Sequence, residues 1–253
     1  MGRSSCQSTD FGWISDEYIR VRGGQNRVSA ISALIDQHVC REGRVLDVGT
    51  GPGEIAAQLV TETRQLFGVD ISADMVTLAS KALGGLARRA DAESLPFESR
   101  SFDGALAVWV LNHVGDAEAA LCEMFRVLRP RGRLFYLSGI PMHPEWDVIG
   151  RQLNRLDVLR SSRVARERTM VWLAESVGFV PVRIGEMVVD FQQRPRGAIQ
   201  RIHDRSYGHL RQVDGETWES VVAPVIGDLL RLPDPDRYRE RQNRHKFAVL
   251  EKP

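Results

Sequence analysis

Between Val45 and Ala56 the chain reads VLDVGTGPGEIA. An apolar, β-branched run ends on an acid, glycines follow at 49, 51 and 53, and a helical pattern begins at once. A strand that is apolar on both sides is covered on both faces, which is the habit of parallel sheets. A glycine turn joining such a strand to a helix leaves backbone amides open at the strand's carboxyl end, where open α/β sheets hold their ligands. No other stretch restricts the fold as strongly.

The alternation then repeats. RVLDVG is the first strand, and Glu54 to Thr63 the helix after it. QLFGVD is a second strand, and SADMVTLASKAL a helix opened by Ser72, whose hydroxyl suits an N-cap. LARRA is a short third strand before the loop DAESLPFESR, and FDGALAVWVL is a fourth. DAEAALCEMFRVL follows as an amphipathic helix with Leu121, Met124, Phe125 and Leu128 on one face; Pro130 and Gly132 end it before the fifth strand, RLFYLS. Strand and helix alternating over some hundred residues predict a parallel sheet with helices on both faces. Beyond Ser138 the periodicity predicts helices over 148–160 and ERTMVWLAESVGF, and a long strand at VPVRIGEMVVDF. Two helices follow, RPRGAIQRIHDRSYGHL and ETWESVVAPVIGDLL, then a final strand, HKFAVLEK. Ahead of the first strand, Ile31, Leu34, Ile35 and Val39 recur at helical spacing, so residues 1–40 read as an N-terminal helical segment and 41–253 as one α/β domain.

Composition narrows the class further. A formal net charge of +1 gives no global field to draw a nucleic acid or an anionic membrane. Lys81, Lys246 and Lys252 are the lysines and all other cations are arginine, a bias best ascribed to a GC-rich coding sequence. Cys6, Cys40 and Cys122 lie far apart, without metal-ligand spacing, so the expectation is no metal and a reducing, cytoplasmic setting. The start, MGRSSCQSTD, lacks the apolar core of a signal peptide, and no apolar run has the length of a membrane span.

Several cofactors use a glycine turn of this kind. A dinucleotide fingerprint is G-x-G-x-x-G, whereas Gly49, Gly51 and Gly53 give G-x-G-x-G, with Glu54 where the last glycine belongs. An acid beside a helix N-terminus would face a pyrophosphate of like charge. Nor is there the Gly-Lys-Ser/Thr ending of a P-loop. The turn suits a cofactor without phosphates.

At this point the chain resembles the class I S-adenosylmethionine (SAM) dependent methyltransferases, particularly the small bacterial ones similar to ubiquinone/menaquinone-biosynthesis methyltransferases. The resemblance rests on VLDVGTGPG, GVDIS, DAESLPF, FDGALAVWVLNHV and FRVLRPRGRL, in order, and is close over about residues 40–140. It implies a Rossmann-like sheet of seven strands, mostly parallel with the last antiparallel, and a helical substrate lid built from 140–165 and 192–243. It also implies SAM as cofactor and S-adenosylhomocysteine as product. By the same resemblance Gly49, Thr50, Gly51 and Gly53 approach the cofactor, and Asp70 accepts bonds from its ribose hydroxyls. Asp91 and Ala92 hold the adenine edge, Ile71 and Met75 pack its ring, and the Ala107 carbonyl faces the methionine ammonium. Tyr18 and Arg22 are the candidates for the cofactor carboxylate. Asp47 either contacts the cofactor or ties the turn down through backbone amides; Met75 is equally read as core, and Tyr18 and Arg22 as surface. The family's Pro-Gly-Gly turn before the fifth strand is Pro-Arg-Gly here, and its two histidines after the fourth strand are Asn112 and His113.

Methyl transfer from a sulfonium is an in-line displacement, so alignment is the main task and a base is optional. His113, on the rim after the fourth strand, is the first candidate base, the alternative being that it packs or orients Asn112. His203 and Tyr207 are further candidates, because a helix through RIHDRSYGHL places Ile199, Ile202, His203, Ser206, Tyr207 and Leu210 on one face. His143, after the fifth strand, is another. Arg194, Arg196, Arg201, Arg205 and Arg211 make the expected lid basic, which admits an anionic or aromatic small-molecule substrate or simply a solvated face. The chain is expected to act as a monomer or homodimer. Three competing functions remain at this level: a nucleic-acid methyltransferase, disfavoured by AVWVLN in place of a base-gripping Asn/Asp-Pro-Pro-aromatic motif; a SAM-binding protein, such as a cyclase, that moves no methyl; and an NAD-linked oxidoreductase, disfavoured by the glycine spacing.

Overall fold

The structure is a computed structural model that describes residues 24–139, 141–159 and 167–253. Tyr18 and Arg22 lie outside the described residues. The chain divides into two compact units, one formed by Met1–Ile140, Arg166–Glu186 and Lys246–Pro253, the other by Pro141–Ala165 and Met187–His245.

The first unit is built on the strand-helix alternation. Helix α1 (Gly24–Asp36) leads to β1 (Gly43–Val48), α2 (Glu54–Leu59), β2 (Arg64–Asp70), α3 (Ala73–Ala82), β3 (Ala87–Arg89) and β4 (Phe102–Val108). Then come α4 (Ala117–Val127), β5 (Leu128–Leu137) and, after the second unit's first segment, α6 (Glu167–Val177). Strands β6 (Val180–Gln193) and β7 (Arg239–Glu251) complete a seven-stranded sheet in the order β3-β2-β1-β4-β5-β7-β6. The pairs β1·β2, β1·β4, β2·β3 and β4·β5 are parallel, whereas β7 runs antiparallel to β5 from Arg133 opposite Glu251 to Leu137 opposite Phe247. The sheet is thus the mostly parallel one expected, closed by an antiparallel last strand.

Local chemistry explains the element ends. Ser72 caps α3 by accepting the Met75 N–H, and Asp116 caps α4 by accepting from Glu118 and Ala119. On α4, Ala120, Leu121, Met124 and Val127 are buried, the stripe that the helical spacing requires. The fifth strand begins earlier than expected, at Leu128. It passes through Arg131 in a left-handed conformation with φ 67, its N–H donating to the Lys252 carbonyl at 2.7 Å. Pro130 and Gly132 therefore bend the start of a strand, since the pairing with the last strand carries the backbone on. Lys252 donates to the carbonyls of Phe125 and Leu128, satisfying the end of α4.

The second unit contains α5 (Val148–Asn154), a 3₁₀ turn at Arg155–Leu159, α7 (Pro195–His203) and α8 (Ala223–Leu230), the last preceded by a π-turn at Trp218–Val222. Its own core gathers Ile149, Leu156, Ile199, Ile202, Val225 and Leu229. The helix expected over 148–160 tightens to 3₁₀ after Asn154. Among the described residues no helix is long and apolar enough to cross a membrane.

Candidate functional site

The glycine turn lies between β1 and α2. Gly49, Gly51 and Gly53 take φ of 70, 55 and 84 degrees, conformations that L side chains avoid. The Gly49 and Thr50 amides both donate to the Val69 carbonyl of β2, at 2.8 and 2.9 Å. A Cβ on Gly53 would lie 3.0 Å from the Ala79 Cα of α3, whereas one on Gly51 would meet nothing within 4 Å. The turn is packed behind and open at Gly51, as a cradle for an incoming molecule must be.

Asp70, at the end of β2, holds this turn to the next one. Its Oδ2 accepts the Gly51 N–H at 2.9 Å and its Oδ1 the Ser72 N–H at 3.0 Å. A carboxylate has about four lone-pair sites, so each oxygen retains acceptor capacity for a vicinal diol. Burial raises the Asp70 pKa, opposed by the bonds from the Ser72, Gly51 and Ile71 amides. Those bonds favour the ionised, acceptor-only form.

Asp47 is buried and accepts from the Thr50 hydroxyl at 2.9 Å. Burial pushes its carboxyl up to about 7; the Thr50 bond opposes this and the Asp70 charge adds to it. Asp47 reaches the turn through the Thr50 hydroxyl. The Gly49 and Thr50 amides donate to Val69, the Gly51 amide to Asp70 and the Gly53 amide to the Thr50 carbonyl, while Asp47 accepts from the Thr50 side chain. Glu54 opens α2 half-buried, its pKa raised by burial.

The remaining expected cofactor residues surround the carboxyl ends of these strands. Ile71 is 41% exposed, high for an aliphatic residue, while Met75 is buried in α3. Asp91 is exposed and accepts the Glu93 N–H at 3.0 Å, and Ala92 beside it is buried. Ala107 is buried in β4, paired with Tyr136. His113 is exposed in the turn after β4, its N–H donating to the Val110 carbonyl at 2.8 Å. Asp47, Gly49, Thr50, Gly51, Gly53, Asp70, Ile71 and Ala107 all belong to the consecutive ends of β1, β2 and β4.

The other catalytic candidates lie in the second unit. The face expected to run from Ile199 to Leu210 does not form. Helix α7 stops at His203, and Arg205 turns left-handed at φ 49. The Arg205 guanidinium then gathers the carbonyls of Leu210, Arg211 and Val213 at 3.0–3.1 Å, which fixes a compact turn in place of another helical turn. His203 is consequently exposed while Tyr207 packs against the apolar core, where burial raises its hydroxyl pKa. His143 belongs to a buried network that the sequence did not announce. Arg241 donates through Nε to both oxygens of Asp147 at 2.9 Å and through a terminal nitrogen to Gln193. His143 Nδ1 lies 3.1 Å from the Gln242 carbonyl and 3.6 Å from Asp147 Oδ2. Arg241 also brings a terminal nitrogen to 3.4 Å from Nδ1, so that ring nitrogen lies between a carbonyl, which accepts, and a guanidinium, which donates. Burial and the Arg241 charge lower the His143 pKa, against the Gln242 carbonyl, Asp147 and Asp157. Among the described residues no His, Cys, Asp and Glu side chains converge as a metal site.

One further contact was missed in the sequence. The Arg27 guanidinium of α1 lies over the Trp109 ring, 4.2 Å from its centroid. No local spacing links two residues so far apart in the chain.

Residues 46–136 match a family model described as a methyltransferase domain. An uncharacterized 37.1 kDa protein in transposon TN4556 of Streptomyces fradiae is 35% identical over 216 residues, 76% of this chain and 61% of that protein. The ubiquinone/menaquinone biosynthesis C-methyltransferase UbiE of Desulfotalea psychrophila is 36% identical over 104 residues, 39% of this chain and 42% of the enzyme. The crystal structure of the cyclase SpnF has a TM-score of 0.59 at 18% identity and covers 96% of this chain and 94% of its own, a likeness of fold alone. The chain spans from 42% to 61% of the length of these two curated relatives.

Proposed function

We propose that the chain is a class I SAM-dependent methyltransferase that transfers the methyl group of SAM to an oxygen, nitrogen or carbon nucleophile of a small molecule, a reading supported by the match of residues 46–136 to a methyltransferase domain and by the likeness to UbiE. SAM is the cofactor of this family's domain and supplies an electrophilic methyl on a sulfonium. The observation that carries the reading is the Asp70 carboxylate, bound to the Gly51 and Ser72 amides with acceptor capacity to spare beside a glycine that is open to space.

In this reading Asp70 holds the ribose hydroxyls, the glycine turn passes under the cofactor, and the exposed Ile71 covers the adenine face. Met75, at the start of α3, packs against the same ring. Asp91 and Ala92 meet the adenine edge, and the Ala107 carbonyl accepts from the methionine ammonium. Asp47 and Thr50 stiffen the turn and add negative potential beneath a cofactor that bears positive charge. Tyr18 and Arg22 stay as carboxylate candidates. Fixing donor and acceptor in line supplies about 7–11 kcal/mol of the barrier, so the acceptor need only be oriented and dried. A positioned base adds about 10²–10⁴-fold. His113 fills that role on the rim of the cofactor unit, and His143 is the alternative; His203 and Tyr207 rank below them. The segments 140–165 and 192–243 select a small molecule of anionic or aromatic character. The protein works in the cytoplasm, as a monomer or homodimer.

A second reading has one observation in its favour, the likeness of fold to a cyclase over nearly the whole chain. Here SAM would be bound and no methyl moved. Incubation with SAM and a panel of phenols, amines and carboxylates separates the two. Stoichiometric release of S-adenosylhomocysteine with a methylated product supports transfer; tight SAM binding with no release from any acceptor supports the second reading.

A further inference from the structure

Between β3 and β4 the chain runs through DAESLPFESRS, residues 91–101. The loop starts beside the proposed ribose acid. Asp70 pairs with Arg89 across β2 and β3, and the Ala90 N–H donates to the Asp70 carbonyl at 3.0 Å. A tight turn follows at once. Asp91 Oδ1 accepts the Glu93 N–H at 3.0 Å, the Ser94 N–H donates to the Asp91 carbonyl at 3.1 Å, and Asp91 and Ser94 form an antiparallel bridge. A base joined to a ribose at Asp70 would lie against this turn.

Two side chains of α4 hold the far side of the turn. The Leu95 side chain is buried, and its backbone donor and acceptor both go to that pair. The Leu95 N–H donates to Glu123 Oε2 at 2.7 Å, and its carbonyl accepts from a terminal nitrogen of Arg126 at 3.1 Å. A neighbouring strand would offer the same acceptor and donor to an extended residue. Arg126 has five N–H donors, and each meets an acceptor. Nε reaches Glu123 Oε1 at 2.7 Å, and the nitrogen on Leu95 also reaches Glu123 Oε2 at 2.8 Å. The other terminal nitrogen reaches the Phe97 carbonyl at 2.8 Å and the Ser99 hydroxyl at 3.4 Å. The bonds from Arg126 and the Leu95 amide hold the Glu123 carboxyl below its ordinary range, against burial. At the other end of α4, Glu93 Oε1 accepts the Asp116 N–H at 2.8 Å. The Arg126 and Glu123 side chains are 34% and 20% exposed, so as an ion pair they add little to stability. What they contribute is the course of the loop.

We propose that Glu123 and Arg126 are positioning residues for the cofactor's base: they stand in for a strand beside Leu95 and thereby fix the Asp91–Ser94 turn that discriminates adenine from other purines. This rests on the reading that the glycine turn holds SAM and that Asp91 and Ala92 meet its adenine. A carboxylate accepts from the 6-amino group of adenine and repels a 6-oxo oxygen. Such a choice depends on hydrogen-bond geometry, which fails within a few tenths of an ångström. The turn is therefore secured on one side through Ala90 to Asp70 and on the other through Leu95 to α4.

The test is calorimetric and needs no turnover. S-adenosylhomocysteine and S-inosylhomocysteine, whose 6-oxo group and ring N1–H reverse the hydrogen bonding of the purine edge, are titrated into the wild type, Arg126→Met, Arg126→Lys and Glu123→Gln. Arg133→Met serves as control, because it breaks a comparably exposed pair with Glu251 that does not touch the loop. A charge-assisted bond to the amino group predicts that the wild type prefers the adenine compound about 10- to 100-fold. In Arg126→Met the preference falls below about 3-fold, mainly through weaker binding of S-adenosylhomocysteine. Arg126→Lys recovers only part of it, since a point charge with three donors cannot serve the same acceptors. Glu123→Gln falls between Arg126→Met and the wild type, and Arg133→Met keeps the wild-type preference. Thermal unfolding identifies any variant that does not fold; if Arg126→Met is one, Arg126→Lys and Glu123→Gln decide by the same ratio. A wild-type preference in the folded Arg126 and Glu123 variants, even with a lower unfolding temperature, would make the pair merely structural and overturn the proposal. An equal fall in Arg133→Met, or a wild type that binds both compounds alike, would overturn it too. A wild type that binds neither compound would instead overturn the reading of the glycine turn.

Discussion

Removing the Asp70 carboxylate tests the cofactor cradle most sharply, because that group does two jobs. In the free protein it accepts the Gly51 and Ser72 amides at 2.9 and 3.0 Å. In the proposed complex with SAM it would accept, in addition, two ribose hydroxyls. A hydrogen bond to a charged acceptor contributes about 1.5–3 kcal/mol, so losing both hydroxyl bonds costs about 3–6 kcal/mol of binding. Asp70→Ala is therefore expected to weaken SAM and S-adenosylhomocysteine alike by about 10²- to 10⁴-fold. The two backbone amides are left partly buried, so the unliganded protein is also destabilised, by about 1–3 kcal/mol for each amide that finds no water. Asp70→Asn keeps one acceptor oxygen and falls between the wild type and Asp70→Ala. Titration calorimetry gives the affinities, and thermal unfolding without ligand gives the separate cost of the turn. If Asp70→Ala unfolded at a lower temperature and yet bound SAM within a few-fold of the wild type, Asp70 would be a turn clamp and no ribose ligand.

The Asp47 carboxyl, raised to about 7 by burial, makes the ligand-free protein less stable as pH climbs. The unfolded chain gives up that proton in the ordinary carboxylate range and the folded one only near pH 7, so stability falls between these limits. Asp47→Asn should flatten that fall in a pH series of unfolding midpoints. A cationic cofactor favours the ionised form, so SAM binding near pH 7 should release protons, seen as a dependence of the calorimetric heat on buffer ionisation enthalpy. His113→Ala should depress turnover far more than SAM affinity, and a wild-type rate would remove it as base. In the second unit, Arg241→Met strands the buried Asp147 and should cost about 3–5 kcal/mol in denaturant unfolding. Adding Asp147→Leu should recover most of that, short of about 1 kcal/mol for the lost cap on Gly150; a double variant as unstable as the single one would refute the ion-pair account.

What could be read in the sequence was local or periodic. Two-faced strands such as β1, the Ser72 cap and the stripe on α4 each declare themselves within a few residues. Asp70 is legible because it ends a strand one βα unit after the glycine turn. The failures share a cause, contacts made at a distance. Nothing near His203 says that Arg205 will turn left-handed and bind three carbonyls ahead of it, so the helical period was carried too far. Arg241 looks like one more arginine of a biased composition, and only the fold places it 2% exposed against Asp147. Arg27 and Trp109 meet because α1 returns to the end of β4. Arg131 shows the converse: at a turn where the family commonly carries a second glycine, an arginine keeps the positive φ. The pairing of its N–H with Lys252 holds it there.

The central claim is that this glycine turn, without a third G-x-x-G glycine, with Glu54 opening the helix and with Asp70 clamped to Gly51, holds SAM in place of a dinucleotide. Parallel calorimetric titrations of the wild-type chain with SAM and with NAD address it directly. The account predicts one SAM bound per chain and no measurable heat of binding from NAD; saturable NAD binding that excludes SAM would contradict it.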